Sequence, residues 1–142
     1  MTRYLLDTNA ASGWIDRVPG LVTRVRAAVS KGSRVGVAMP VLGELFAGVE
    51  LSRRSELNRK RLRRALATLA IWPFDLAAAE EYGRVFAELR RAGRPIQQID
   101  IQIAAIARSL GGCTVISADA DLRRVPRLSV EDWTTPELGE AR

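Results

Sequence analysis

Histidine is absent from this 142-residue chain, cysteine occurs once, at Cys113, and lysine only twice, at Lys31 and Lys60. Each scarcity narrows the classes of function. Zinc sites draw almost always on Cys or His, so a zinc centre is not expected. Without His there is neither the usual general base nor any Ser-His or Cys-His nucleophile pair. A single cysteine cannot form an internal disulfide and suits a reducing cytosol. Long apolar runs are missing too. The longest, Val35 to Val49, contains Pro40 and Glu44 and is too short for a bilayer. No charged-then-apolar leader opens the sequence, so the expected location is cytoplasmic, with no membrane partner. If the chain is an enzyme, carboxylates must do its chemistry, through a hard cation.

What is there begins with arginine, which dominates 22 basic residues set against 16 acidic ones, for a net charge of +6. Guanidinium groups suit bidentate phosphate contact, although a genome-wide composition bias produces the same excess. At this length, with 47% hydrophobic residues, the chain is expected to be one domain over residues 1–142 with a real core. Arg3 to Leu6 reads as a buried strand and Leu21 to Ser30 as a helix ended by Gly32. A second strand, Val35 to Ala38, precedes a helix opening at Pro40, with Leu42, Leu45, Phe46 and Val49 as its core face. The next helix places Leu62, Ala65, Leu66 and Leu69 on one side. Ile71 to Phe74 reads as a short strand and Leu76 to Ala92 as a helix, broken off by Gly93 and Pro95. A helix from Gln97 to Leu110 buries Ile99, Ile103, Ile106 and Leu110 and stops at Gly111 and Gly112. Strands at Thr114 to Ile116 and within Leu128 to Glu131 complete the pattern. Helices alternating with short apolar strands predict an α/β sandwich around a mostly parallel sheet.

In such a sheet the carboxyl ends of strands and the N-termini of helices share one edge, where ligands usually bind. Asp7 ends the first strand. Glu44 lies in the first turns of the helix after the second, Asp100 in the first turn of the Gln97 helix, and Asp119 and Asp121 follow the Thr114 to Ile116 strand. Taken singly, each has a plain reading as a helix cap or a solvated acid. Asp75, between Phe74 and a helix, is read as such a cap. Four or more carboxylates at one edge are another matter. They repel and raise one another's pKa unless a cation neutralises them, and Mg²⁺ or Mn²⁺ prefers such oxygen ligands.

Three blocks in order, "LLDTN", "PVLGELFAGV" and "IDIQIAAIARSLGGCTVISADADL", resemble PIN-domain ribonucleases, most closely the VapC toxins of bacterial toxin–antitoxin pairs. The ending "VPRLSVEDW" is similar to the family's C-terminal strand, so the resemblance covers nearly the whole chain. It implies a PIN-like three-layer sandwich and a Mg²⁺- or Mn²⁺-dependent endoribonuclease whose catalytic, metal-holding acids match Asp7, Glu44, Asp100 and Asp119. Thr8, Asn9 and Ser117 fall where the family places supporting polar residues, and Asp121 matches a frequently acidic neighbour. The implied partners are an RNA substrate, a cognate VapB-type antitoxin and a second copy of the chain in a homodimer. Ala118 stands where related chains often carry arginine, and Leu122 where they often carry phenylalanine. The first departure puts in doubt a substrate contact at 118.

The basic run of Arg53, Arg54, Arg59, Lys60, Arg61, Arg63 and Arg64 reads either as a solvated helix face or as a surface for RNA or a protein partner. Trp14, Trp72 and Trp133 read as packing residues rather than base-stacking platforms. Three alternatives stand beside the toxin reading. One is a free-standing PIN nuclease and another a non-catalytic RNA- or protein-binding PIN fold. The third, a phosphorylation-receiver domain, would usually pair acids after the first strand and carry a late lysine, whereas Asp7 is followed by Thr8 and Asn9, and no lysine lies beyond Lys60.

Overall fold

Short apolar runs form each strand in the computed structural model, which describes residues 2–134; the expected domain limits at 1 and 142 lie outside that range. β1 (Arg3–Leu6) leads into α1 (Thr8–Ile15) and α2 (Pro19–Ser30), and β2 (Arg34–Ala38) into α3 (Met39–Leu51) and α4 (Ser55–Leu66). β3 (Ala70–Trp72) precedes the long pair α5 (Leu76–Arg91) and α6 (Gln98–Leu110). β4 (Cys113–Ile116), a single turn α7 (Ala120–Arg123) and β5 (Ser129–Glu131) follow. The strands lie in the order β3-β2-β1-β4-β5 and every neighbouring pair is parallel. The crossover from β1 to β2 and the one from β3 to β4 travel in opposite directions across the sheet. Right-handed connections therefore put α1–α2 and α5–α6 on opposite faces. That is the expected three-layer α/β sandwich.

The middle of the sheet is dry. Leu5, Leu6, Val37, Val115 and Ile116 lose essentially all solvent contact, with Ile103 and Ala104 of α6 packed on them. α6 buries more than the four residues its periodicity predicts, because α3, α5, α7 and the sheet all touch it. Ile101, Ala105 and Ala107 are buried as well, while Ile99 and Leu110 are half-exposed at its ends.

Other boundaries moved for local reasons. α2 starts at Pro19, a favoured first helical residue, two positions before the expected Leu21. β3 stops at Trp72 because Pro73 has no N–H for the ladder, so the expected extension to Phe74 fails. α4 ends at Leu66, which leaves Leu69 beyond the helix. On α3 the expected core face is only partly buried: Val41 and Leu42 are, whereas Leu45, Phe46 and Val49 remain half-exposed. No helix among the described residues is long and apolar enough to cross a membrane.

Candidate metal centre

Two buried polar residues, Asp7 and Ser117, both stand at the carboxyl edge of the sheet. Parallel pairing puts them there: the Asp7 N–H donates to Ile116 O at 3.0 Å and the Ser117 N–H to Glu131 O at 2.9 Å. A polar group this deep persists only when something answers it. Asp7 answers through its N-cap position, where Oδ1 accepts from the Ala10 N–H at 2.8 Å. Burial pushes its pKa up, opposed by hydrogen bonds from the Ser117 hydroxyl and Ala10 N–H and reinforced by the charges of Asp119 and Asp132. The cap reading and the site reading of Asp7 are thus compatible.

Ser117 ties the neighbouring loop to the same point, its hydroxyl oxygen accepting from the Asp119 N–H at 2.9 Å. Asp119 caps α7 by accepting from the Asp121 N–H at 2.9 Å. α7 was not expected from the sequence, since one turn is too short to show a period. It brings Asp119 and Asp121 toward Asp100 on the first turn of α6: one carboxylate oxygen from each of these three lies within 4.8 Å of the others. Asp121 also accepts from Arg124 at 3.1 Å. Asp7 and Glu44 stand outside that tight trio, yet their charges reach it. The pKa of Asp100 is pushed up to about 6, first by burial and then by Asp119, Asp7, Asp121 and Glu44. Glu44, on α3, is itself held by the Thr8 hydroxyl, which donates to Oε1 at 3.2 Å. Asn9 is exposed on the first turn of α1.

All five sequence-selected acids therefore bear on one place, with Asp100 at its centre. Asp75, at the same edge after β3, caps α5 by accepting from Ala78 N–H at 3.0 Å, as read from the sequence. The residue that sequence reasoning missed is Asp132. It directly follows β5 and its charge acts on Asp7. The signal was present, because the rule that selects Asp7, an acid just past a strand's carboxyl end, selects Asp132 as well.

The crowding of carboxylates disfavours the charged form of Asp100, and a cation among them would relieve it. The donors are all oxygen, the choice of Mg²⁺ and Mn²⁺ rather than of softer metals.

The PIN domain family model matches residues 4–128. Among characterised relatives, the tRNA(fMet)-specific endonuclease VapC of Shigella flexneri is 34% identical over 94% of this chain and 100% of its own length. Ribonuclease VapC2 of Rickettsia felis is 29% identical over 92% of this chain and 97% of its own. Two solved structures superpose closely. VapBC2 from Rickettsia felis, bound to a promoter DNA fragment, gives a TM-score of 0.86 at 28% identity, covering 93% of this chain and 99% of that one. DNA-bound VapBC from Salmonella typhimurium gives 0.86 at 30%, covering 94% and 99%.

Proposed function

The chain belongs to the VapC-type PIN-domain ribonucleases, and from that premise we propose that it is the toxin of a toxin–antitoxin pair, a divalent-metal-dependent endoribonuclease held silent by a VapB-type antitoxin. The observation that carries this reading is the convergence of Asp7, Glu44, Asp119 and Asp121 on Asp100, whose pKa is raised to about 6 by burial and then by their charges. Such a cluster is costly to keep unless it holds a cation. The receiver-domain alternative is set aside with the family match over residues 4–128. We assign the chain as one PIN-like domain acting in the cytoplasm, where its RNA is.

In this reading Asp7, Asp100 and Asp119 hold Mg²⁺ or Mn²⁺, directly or through water, and Asp121 lies near enough to join them. A bound divalent ion supplies Lewis-acid polarisation of a phosphodiester oxygen and a more acidic water. Glu44 either joins the ligands or orients the attacking water, and Thr8 fixes its carboxylate for that role. Ser117 holds the Asp7 carboxylate and the Asp119 backbone in register. Asn9, exposed in the first turn of α1, is free of the core and serves as a supporting polar residue in this reading.

The antitoxin is supported by a cavity of about 1140 Å³ between α1, α2 and α4. Trp14, Val22, Val29 and Leu57 give it an apolar lining, and Arg17, Arg26, Arg61 and Arg64 border it. An amphipathic segment with acidic flanks fits that chemistry. The expected homodimer is supported by apolar side chains left in solvent, Leu51 at 90% and Phe86 at 44% exposure.

The test is cleavage of tRNA and ribosomal RNA by the purified chain in Mg²⁺ or Mn²⁺. Cutting should stop in EDTA, and Asp7→Asn and Asp100→Asn should each lose about 10²-fold or more in rate while circular dichroism stays native. Full activity in either folded variant overturns the assignment.

A further inference from the structure

A cluster of carboxylates repels the polyanion it is meant to cut, so an RNA strand must be held by cations close by. Within the Arg53–Arg64 run, Arg59 is ion-paired with Glu50, and Arg61 and Arg64 border the apolar cavity. Two arginines outside that run meet the acidic edge from opposite layers of the sandwich. Arg24, on α2, lies with its guanidinium carbon 5.7 Å from the centroid of the Trp133 ring. Trp133 is a fixed shelf: only 5% exposed, packed on Tyr4 at 5.0 Å between centroids, with its indole N–H donating to Glu131 at 2.9 Å. Arg123 is exposed on α7, the turn whose cap is Asp119. Asp132, directly after β5, is held by its own turn: its Oδ1 accepts from the Thr134 N–H at 2.8 Å and from the Thr134 hydroxyl at 2.5 Å. Asp132 feels the positive charges of Arg24 and Arg123 on one side and acts on Asp7 on the other.

We propose that Arg24 and Arg123 form a phosphate-binding flank that leads an RNA strand past the acidic pocket, with Asp132 as the positioning residue that sets their spacing. A guanidinium keeps its charge at any working pH, so arginines beside Asp132 still attract phosphate. The Trp133 ring, 5.7 Å from the Arg24 guanidinium carbon, fixes where that permanent charge stands. The flank and the carboxylates then divide the work. The arginines hold phosphates of the strand beside the scissile bond, and the acids act on the bond itself. This rests on the nuclease reading above.

The test uses fluorescently labelled initiator tRNA and the full chain. Binding is measured by anisotropy in EDTA across a salt series, and cleavage kinetics are measured in Mn²⁺. Arg24→Ala and Arg123→Ala should each weaken binding about fivefold and flatten the slope of log affinity against log salt by about 1. In Mn²⁺ the loss should fall on KM rather than on kcat. Arg24→Lys should keep the slope, since its charge remains, and still bind more weakly than the parent. Asp132→Asn should raise KM at an unchanged slope, a signature that mere loss of stability would not give. Arg34→Ala, at the opposite edge of the sheet, serves as the control. A parent that cleaves RNA while both alanine variants keep its slope overturns the flank alone. Variants that lose slope in a parent that never cleaves leave the flank standing and overturn the nuclease reading. A parent that binds no RNA overturns the flank.

Discussion

Asp100 shows how much of the site a single residue carries. Its pKa in the metal-free fold, about 6, lies above the ordinary 3.8, so the folded chain holds this proton more tightly than the unfolded chain does. The resulting stability is fully present below pH 3.8 and is lost as pH rises through about 6. At about 1.4 kcal/mol per tenfold change, the shift amounts to about 3 kcal/mol at full strength, and to about half that once solvent screening of a half-buried group is counted. Asp100→Asn removes the ionisation. In EDTA at pH 7.5 the variant should therefore melt no lower than the parent, and any advantage should fade toward pH 4. With Mg²⁺ or Mn²⁺ the order reverses. A ligand at 100 times its dissociation constant stabilises by about 2.7 kcal/mol, a gain open to the parent and denied to the variant. Calorimetry with and without metal checks both halves; a variant that melts lower in EDTA, or keeps the full metal shift, contradicts the account. The residue was legible because an acid in the first turn of a helix that leads back into a parallel strand has few positions to occupy in an α/β sheet. What could not be read was how strongly Asp121 and Glu44 would bear on it, since that depends on how α3 and α7 approach α6.

Between elements, the close approach of β2 and β3 is set by a missing side chain. A Cβ on Gly36 would fall 2.5 Å from the Ala70 carbonyl oxygen and 2.8 Å from a ring carbon of Trp72. Neither neighbour can yield, one being backbone in the paired strand and the other a buried ring. Gly36→Ala should cost about 1–3 kcal/mol, as overpacked cores do, measured as a lower urea midpoint. Gly13→Ala offers the contrast. Its Cβ would meet only the tip of Leu21 at 2.8 Å, and that side chain can turn away, so the cost should be clearly smaller. Equal costs would mean that strand spacing is not the constraint. Such spacing leaves little trace in a sequence. The strands themselves were legible as apolar runs, and helix stops were marked by glycines with positive φ, Gly32 at 87° and Gly111 at 68°. α7 was not, because four residues carry no period, and α3 was over-read. Its apolar face meets α4, α1 and open solvent rather than the sheet alone, and periodicity gives the direction of a face without naming what covers it.

At the scale of the whole molecule, charge is sorted by place: acids gather at one edge of the sheet while the chain carries a net +6. The order of strands that creates this edge could not be read from apolar patterns, which predict a mostly parallel sheet but not that β1 stands at its centre between β2 and β4. A toxin organised this way offers its antitoxin two handles. The cavity between α1, α2 and α4 supplies apolar area bordered by Arg17, Arg26, Arg61 and Arg64, and the pocket around Asp100 supplies negative charge for an inserted Arg or Lys. A guanidinium can engage two carboxylate oxygens at once through strong charge-assisted bonds, in place of the divalent cation proposed for this pocket. Affinity and inhibition should then separate. Arg61→Glu with Arg64→Glu places acids opposite the antitoxin's acidic flanks and should weaken its binding by about tenfold or more, with cleavage by the isolated toxin persisting because neither residue reaches the pocket. Replacing the antitoxin's inserted basic residue with Ala should do the reverse, restoring cleavage within a complex that still forms. Co-expression with the product of the neighbouring gene, pull-down and an RNA-cleavage assay measure both. If the Arg61 and Arg64 reversals leave binding intact, the antitoxin lies on another face; if no neighbouring product binds or inhibits, the chain is a free-standing PIN nuclease.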